Sequence, residues 1–139
     1  VPRAVLDANV YVSAAIRPQG PPGQILERFL RESAFDIVLS PAIVDEVMRA
    51  LAYPKVRKLV SADIDPTTWF EAFILLADLI PGEHTVQGVS DDPDDDKYLA
   101  AAVEGRASFV VSGDPDLLAV KQHEGIRIVS PREFLDVLA

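Results

Sequence analysis

Four segments of the chain carry carboxylates where they could do chemistry. Asp7 follows the apolar pair Val5-Leu6 directly and precedes Val10-Tyr11-Val12. Glu46 lies early in an amphipathic stretch. Asp91-Asp92-Pro93-Asp94-Asp95-Asp96 is an acidic run. Asp114, with Asp116 beside it, follows the apolar Phe109-Val110-Val111 through Ser112-Gly113. Crowded carboxylates repel and raise one another's pKa. A hard divalent cation relieves that repulsion, and oxygen-only ligands suit Mg²⁺ or Mn²⁺. One such cation can turn a water into a nucleophile, and a second can stabilise the leaving oxygen of a phosphodiester.

Each acid also has a plainer explanation. The Asp91–Asp96 run fits a solvated loop that ends in favourable charge at a helix N-terminus. Gly113-Asp114-Pro115-Asp116 fits a turn or a helix cap. Asp7 is harder to dismiss, because an acid so close to the core is seldom buried unless paired. Periodicity leaves two ties. Asp45 and Glu46 lie about equally far from the centre of their helix's apolar stripe. Asp95 and Asp96 are adjacent, and Asp96 is favoured because it lies in line with Leu99 and Val103.

Other chemistries are excluded or weak. Cysteine is absent, so disulfides, thiolate metal sites and a cysteine nucleophile are ruled out. His84 and His123 lie far apart in sequence, so a His-rich zinc site is not expected. Trp69, Phe70 and Phe73 share a helical stripe and belong to a core.

The elements that must position the acids alternate along the chain. A short strand at Val5-Leu6 leads into a helix from Ala8 to Ala15. Arg17–Gly23, with three prolines and two glycines, is expected as a loop. A helix over Gln24–Glu32 and a strand at Ile37–Leu39 follow. Ser40-Pro41 starts a helix that Pro54 ends, and Asp65-Pro66 starts another that Pro81-Gly82 stops. Thr85–Val89 is expected as a third strand. A helix over Lys97–Glu104, a strand at Phe109–Val111, a short helix over Asp116–Glu124, a strand at Ile126–Val129 and a helix from Ser130-Pro131 complete the order. This alternation argues for one α/β domain over residues 1–139, with a parallel sheet covered by helices on both faces. Ligands of such sheets bind beyond the carboxyl ends of the strands. Asp7 and Asp114 belong at that edge, with Glu46 and the acidic run near it.

The motifs taken together resemble the PIN-domain family. They are Leu6-Asp7-Ala8-Asn9-Val10, Ser40-Pro41 leading to Asp45-Glu46-Val47, Asp92 through Ala102, and Ser112-Gly-Asp-Pro-Asp-Leu-Leu118. They span essentially the whole chain and are most similar to the branch of toxins from toxin–antitoxin pairs. The resemblance implies a three-layer α/β/α domain and Mg²⁺- or Mn²⁺-dependent cleavage of RNA, leaving a 5′-phosphate and a 3′-hydroxyl. It puts the four acids at Asp7, Glu46, Asp96 and Asp114, as both catalytic residues and metal ligands, and so prefers Glu46 to Asp45. Asp92, Asp95 and Asp116 become helpers, and Asn9 and Ser112 match polar positions near the metal. It also implies a cytoplasmic homodimer with an antitoxin partner. Ala8 and Ser112 stand where many relatives have Thr, and neither change removes a carboxylate.

Two other functions use similar parts. A phosphoacceptor signalling domain wants paired acids after the first strand and a Lys after the last, whereas this chain has Asp7 alone and Ser130-Pro131. An Asp-nucleophile phosphatase wants Asp-x-Asp, and Asp7-Ala8-Asn9 lacks it. An inactive domain that only binds RNA or protein is a third alternative.

Charge first argues against a nucleic-acid partner, since 13 Lys and Arg face 22 Asp and Glu for a net −9. Nine of those acids, however, lie in or beside the four segments, and the remainder is neutral. One basic stretch stands out: Arg49, Lys55, Arg57 and Lys58 fall within ten positions. It fits a solvated helix end, or phosphate contacts beside the acidic site. Arg17 is a further phosphate-contact candidate. No apolar run is long enough for a membrane span and no basic-then-apolar leader is present, so a soluble, intracellular protein is expected.

Overall fold

The computed structural model describes residues 1–139. Short aliphatic runs form the buried strands β1 (Arg3–Leu6), β2 (Asp36–Leu39) and β4 (Phe109–Val111). Their apolar side chains are covered on both faces, which is why they read as continuous rather than alternating runs. With β3 (Asp78–Leu79), β5 (Gln122–His123) and β6 (Ile126–Val129), they make one sheet in the order β3-β2-β1-β4-β6-β5. All neighbours are parallel except β5 and β6.

The chain leaves β1 through α1 (Ala8–Ile16) and α2 (Pro21–Glu32) to reach β2. It then passes through α3 (Pro41–Ala52), α4 (Pro54–Leu59) and α5 (Pro66–Leu76) to β3 at the sheet edge. From there it returns through a 3₁₀ turn (Pro93–Asp95) and α6 (Asp96–Glu104) to β4, on the other side of β1. Right-handed crossovers make this reversal of direction place α6 on the face opposite the earlier helices. α7 (Pro115–Leu118) and α8 (Pro131–Leu138) complete the chain. The core is one contiguous cluster that includes Tyr11, Phe29, Phe35, Phe70, Phe73 and Phe134. β1 and β4 lie side by side and lead out in opposite directions, so the crevice at their carboxyl ends is the topological switch point where ligands of such sheets bind.

The structure departs from the expected elements in five places. The loop expected over Arg17–Gly23 ends at Gly20, because Pro21 and Pro22 form the first turn of α2, where a missing N–H costs nothing. Gly23 is required there, since a Cβ would lie 2.0 Å from the Pro18 carbonyl oxygen. Pro54 ends α3 but also starts α4 by the same N-terminal logic. α5 ends at Leu76, short of Pro81, and Ile80 donates its N–H to the Leu39 carbonyl beside β3. The strand expected at Thr85–Val89 is absent and β3 takes the place beside β2. Just ahead of that segment, the Glu104 carboxylate accepts the Gly82 and His84 amides at 3.0 and 2.8 Å. The helix expected over Asp116–Glu124 stops at Leu118. Glu124 and Gly125, both at positive φ, turn the chain into the β5–β6 hairpin.

Candidate functional site

The switch-point crevice is built from helix starts. Asp7 is the N-cap of α1, and its Oδ1 accepts the Asn9 amide at 3.0 Å. Asp92 caps the 3₁₀ turn through the Asp94 amide, and Asp114 caps α7 through the Asp116 amide. Capping and site-building are therefore not alternatives here. The backbone donor fixes each carboxylate and leaves oxygen lone pairs facing the crevice. Ser112, fully buried, ties two of the acids together. Its hydroxyl donates to Asp7 Oδ2 at 2.6 Å and its Oγ accepts the Asp114 amide at 2.9 Å.

Asp95 is the central acid of this arrangement. It is 7% exposed, and its Oδ2 is buried with no hydrogen-bond partner. Burial, then Asp114, Asp92 and Asp7 in turn, push its pKa up to about 7. Carboxylate oxygens of Asp92, Asp95 and Asp116 all lie within 4.8 Å of one another. Opposite oxygens around one octahedral Mg²⁺ are about 4.2 Å apart, so a small contraction would close such a shell. An orphaned buried carboxylate oxygen among all-oxygen donors suits a hard divalent cation, and these residues fit one.

The adjacent acids Asp95 and Asp96 are placed differently. Asp96 is buried, as its alignment with Leu99 predicts, but its Oδ1 accepts the Ser90 amide at 2.8 Å. It lines a different concavity, with Ser40, Pro81 and Ala100. Burial and orientation toward the crevice are separate properties. Asp95 and Asp96 are both buried, and Asp95 is the one set among the crevice acids.

Glu46 does not join the five clustered aspartates directly. Its Oε1 accepts the Tyr98 hydroxyl at 2.9 Å, and that same hydroxyl accepts the Ala8 amide at 3.2 Å, next to Asp7. Lys97 ion-pairs with Glu46 Oε2. Its pKa is lowered, chiefly by desolvation, against the opposing pull of Asp7 and Asp45. Asp45 is exposed and pairs with Arg49, which separates it from Glu46 in environment. Spacing alone singles out neither Lys97 nor Tyr98.

The basic candidates are scattered. Arg49 lines a groove that includes Glu46 and Lys97. Lys55, Arg57 and Lys58 are exposed on α4. Arg17 is apart from the acids. It follows the last residue of α1, about 14 Å of helix away from Asp7, and lines a separate hollow with Ser13 and Gly20. Asn9 is exposed at the start of α1 and contributes its backbone amide.

A family model described as PIN domain matches residues 3–116, which take in every acid of the crevice. The chain belongs to the PIN domain family. PIN domains are generally metal-dependent nucleases. The family assignment sets aside the phosphoacceptor and phosphatase alternatives. This PIN domain is similar to an uncharacterized protein of Methanocaldococcus jannaschii, 29% identical over 96% of this chain and 90% of the relative. Its fold is similar to that of a chain of VapBC2 from Rickettsia felis, solved bound to a DNA fragment from their promoter. That match has a TM-score of 0.58 at 12% identity, over 92% of this chain and 98% of that one.

Proposed function

We propose that this PIN domain is a Mg²⁺- or Mn²⁺-dependent endoribonuclease acting as the toxin of a toxin–antitoxin pair. What carries the reading is Asp95: a buried carboxylate oxygen without a donor, among Asp7, Asp92 and Asp114, with no side-chain cation of the chain paired to any of them. The toxin role draws on the motif resemblance and on the shared fold with the VapBC2 chain. A cytoplasmic homodimer held by a small antitoxin belongs to the same proposal. No helix is long and apolar enough to cross a membrane.

Asp7, Asp92, Asp95, Asp114 and Asp116 would hold the cation. When bound, it supplies a polarised water and positive charge for the phosphodiester. The chain's own residues do the positioning. Ser112 fixes Asp7 and Asp114 relative to each other, and Tyr98 links Glu46 to the start of α1. Lys97 neutralises Glu46 at the rim, so a phosphate strand approaching there meets less repulsion. Asp96 serves the fold by holding the Ser90 amide.

The test is cleavage of single-stranded RNA by the purified chain with Mn²⁺ or Mg²⁺. Activity that is lost in chelator and in Asp7→Asn supports the reading. Metal-dependent RNA binding without cleavage would leave only a binding module.

A further inference from the structure

A groove of about 370 Å³ opens beside the acid crevice, lined by Glu46, Arg49, Ala50, Tyr53, Asp94 and Lys97. Tyr53 is 65% exposed in it. It sits at the joint between α3 and α4 with extended backbone, and the following Pro54 keeps it there by disfavouring the helical conformation. The ring is therefore presented from a fixed backbone position between two helices. Its neighbours carry both signs of charge. Glu46 and Asp94 connect the groove to the catalytic acids, and Arg49 and Lys97 contribute cations. Arg49's partner Asp45 is exposed, so that pair can exchange for a phosphate at little cost. Immediately beyond Tyr53, α4 adds the exposed Lys55, Arg57 and Lys58. An exposed aromatic face flanked by cations is the composition of a single-strand track, where rings stack bases and cations follow the backbone.

We propose that Tyr53 is a base-stacking platform for a nucleotide beside the scissile phosphate, with Arg49 taking the neighbouring backbone phosphate. The inference rests on the ribonuclease reading and sharpens its substrate class. A base can stack on Tyr53 only after leaving its own helix, so the RNA must be unpaired at that nucleotide. Tyr53 acts on binding, not on the reacting atoms.

The experiment is steady-state Mn²⁺-dependent cleavage of a mixed-sequence single-stranded RNA 12-mer by the full chain. Tyr53→Ala should raise KM about tenfold, within the range that loss of one stacked base gives, while kcat and the Mn²⁺ requirement stay near wild type. Tyr53→Phe and Tyr53→Trp should restore KM, because the face and not the hydroxyl is used. A 12-mer with abasic sugars should inhibit wild type and Tyr53→Ala equally, whereas a base-bearing competitor should favour wild type. Active wild type with an unchanged KM in Tyr53→Ala overturns the inference and leaves the ribonuclease reading standing. So does a Tyr53→Ala variant that changes oligomeric state but not KM, which would make the ring a protein contact. A wild type that neither cleaves nor binds RNA with Mn²⁺ overturns both.

Discussion

The two edges of the sheet treat their carboxylates in opposite ways. At the amino edge, Arg3 reaches across the strands to Asp78 at 2.6 Å and Asp36 at 3.6 Å, and its guanidinium also donates to the Gly105 carbonyl at 3.0 and 2.7 Å. The chain supplies its own cation there and the acids are neutralised. At the carboxyl edge, the Asp7, Asp92 and Asp114 carboxylates accept only backbone amides or the Ser112 hydroxyl, and Asp95 retains an unpartnered oxygen. Lys97 is the nearby cation and it is committed to Glu46. One edge is closed electrostatically by the sequence, and the other is left for a cation from outside. Under the proposed function, that difference separates a structural carboxylate from a functional one better than burial does.

The sharpest way to break the comparison is to change the two adjacent aspartates. Asp95→Asn should lower metal-dependent cleavage by about 10²-fold or more, since it removes a charge on which cation binding depends. Asp96→Asn should leave cleavage within a few-fold and instead weaken the hold on the Ser90 amide, costing about 1 kcal/mol. Cleavage assays and denaturant melts on both variants decide the matter. Loss of activity in Asp96→Asn with retention in Asp95→Asn would restore the preference that periodicity suggested.

Two smaller effects probe each edge in turn. Tyr98→Phe removes the hydroxyl that joins Glu46 to the Ala8 amide, and should cost about tenfold in cleavage at limiting Mn²⁺. Titrating Mn²⁺ checks it: the loss should shrink as the cation saturates. Arg3→Ala tests the closed edge. It should destabilise the fold by about 1–2 kcal/mol, because its hydrogen bonds are charged but half exposed, and leave cleavage per folded molecule unchanged. A metal-dependent change in that variant's activity would mean that the edges are not independent.

Much of this contrast was legible in the residues. Asp7 and Asp114 followed apolar strands, and in a parallel sheet that position is the ligand edge whatever the details. The helix starts at Ser40-Pro41 and Ser130-Pro131 were equally direct, because a capping hydroxyl followed by proline has a local meaning. What escaped was set by tertiary context. The two-residue β3 has too few side chains to show a period, and Thr85–Val89, which looks more like a strand, follows a stretch held to Glu104 through the Gly82 and His84 amides. The different placement of Asp95 and Asp96 comes with a single 3₁₀ turn, which leaves both buried but sets them among different neighbours. Glu46's link to Asp7 needed Tyr98, which lies 52 residues from Glu46 in sequence, and no local spacing encodes that.

The smallest expected effect follows from Asp95's titration. Its pKa in the folded chain is about 7, raised first by burial and then by its acidic neighbours, against about 4 when unfolded. Between those values the folded state keeps a proton that the unfolded chain has released. Stability without metal should therefore fall as pH rises through about 4 to 7, and stay low above it. Asp65, Glu104 and Glu133 do not mask this. Hydrogen bonds from Thr67, His84 and Ser130 respectively hold them below the usual carboxylate range, so their stabilising contribution is gained as pH rises past the unfolded carboxylate range and is nearly complete by about pH 5. Melting in chelator should drop by a few degrees between about pH 5 and pH 8. Mn²⁺, which binds the ionised carboxylate, should reverse the drop, and Asp95→Asn should flatten it. A melting temperature that rises over that interval in chelator would mean that Asp95 finds a partner at the open edge, and the contrast between the two edges would fail.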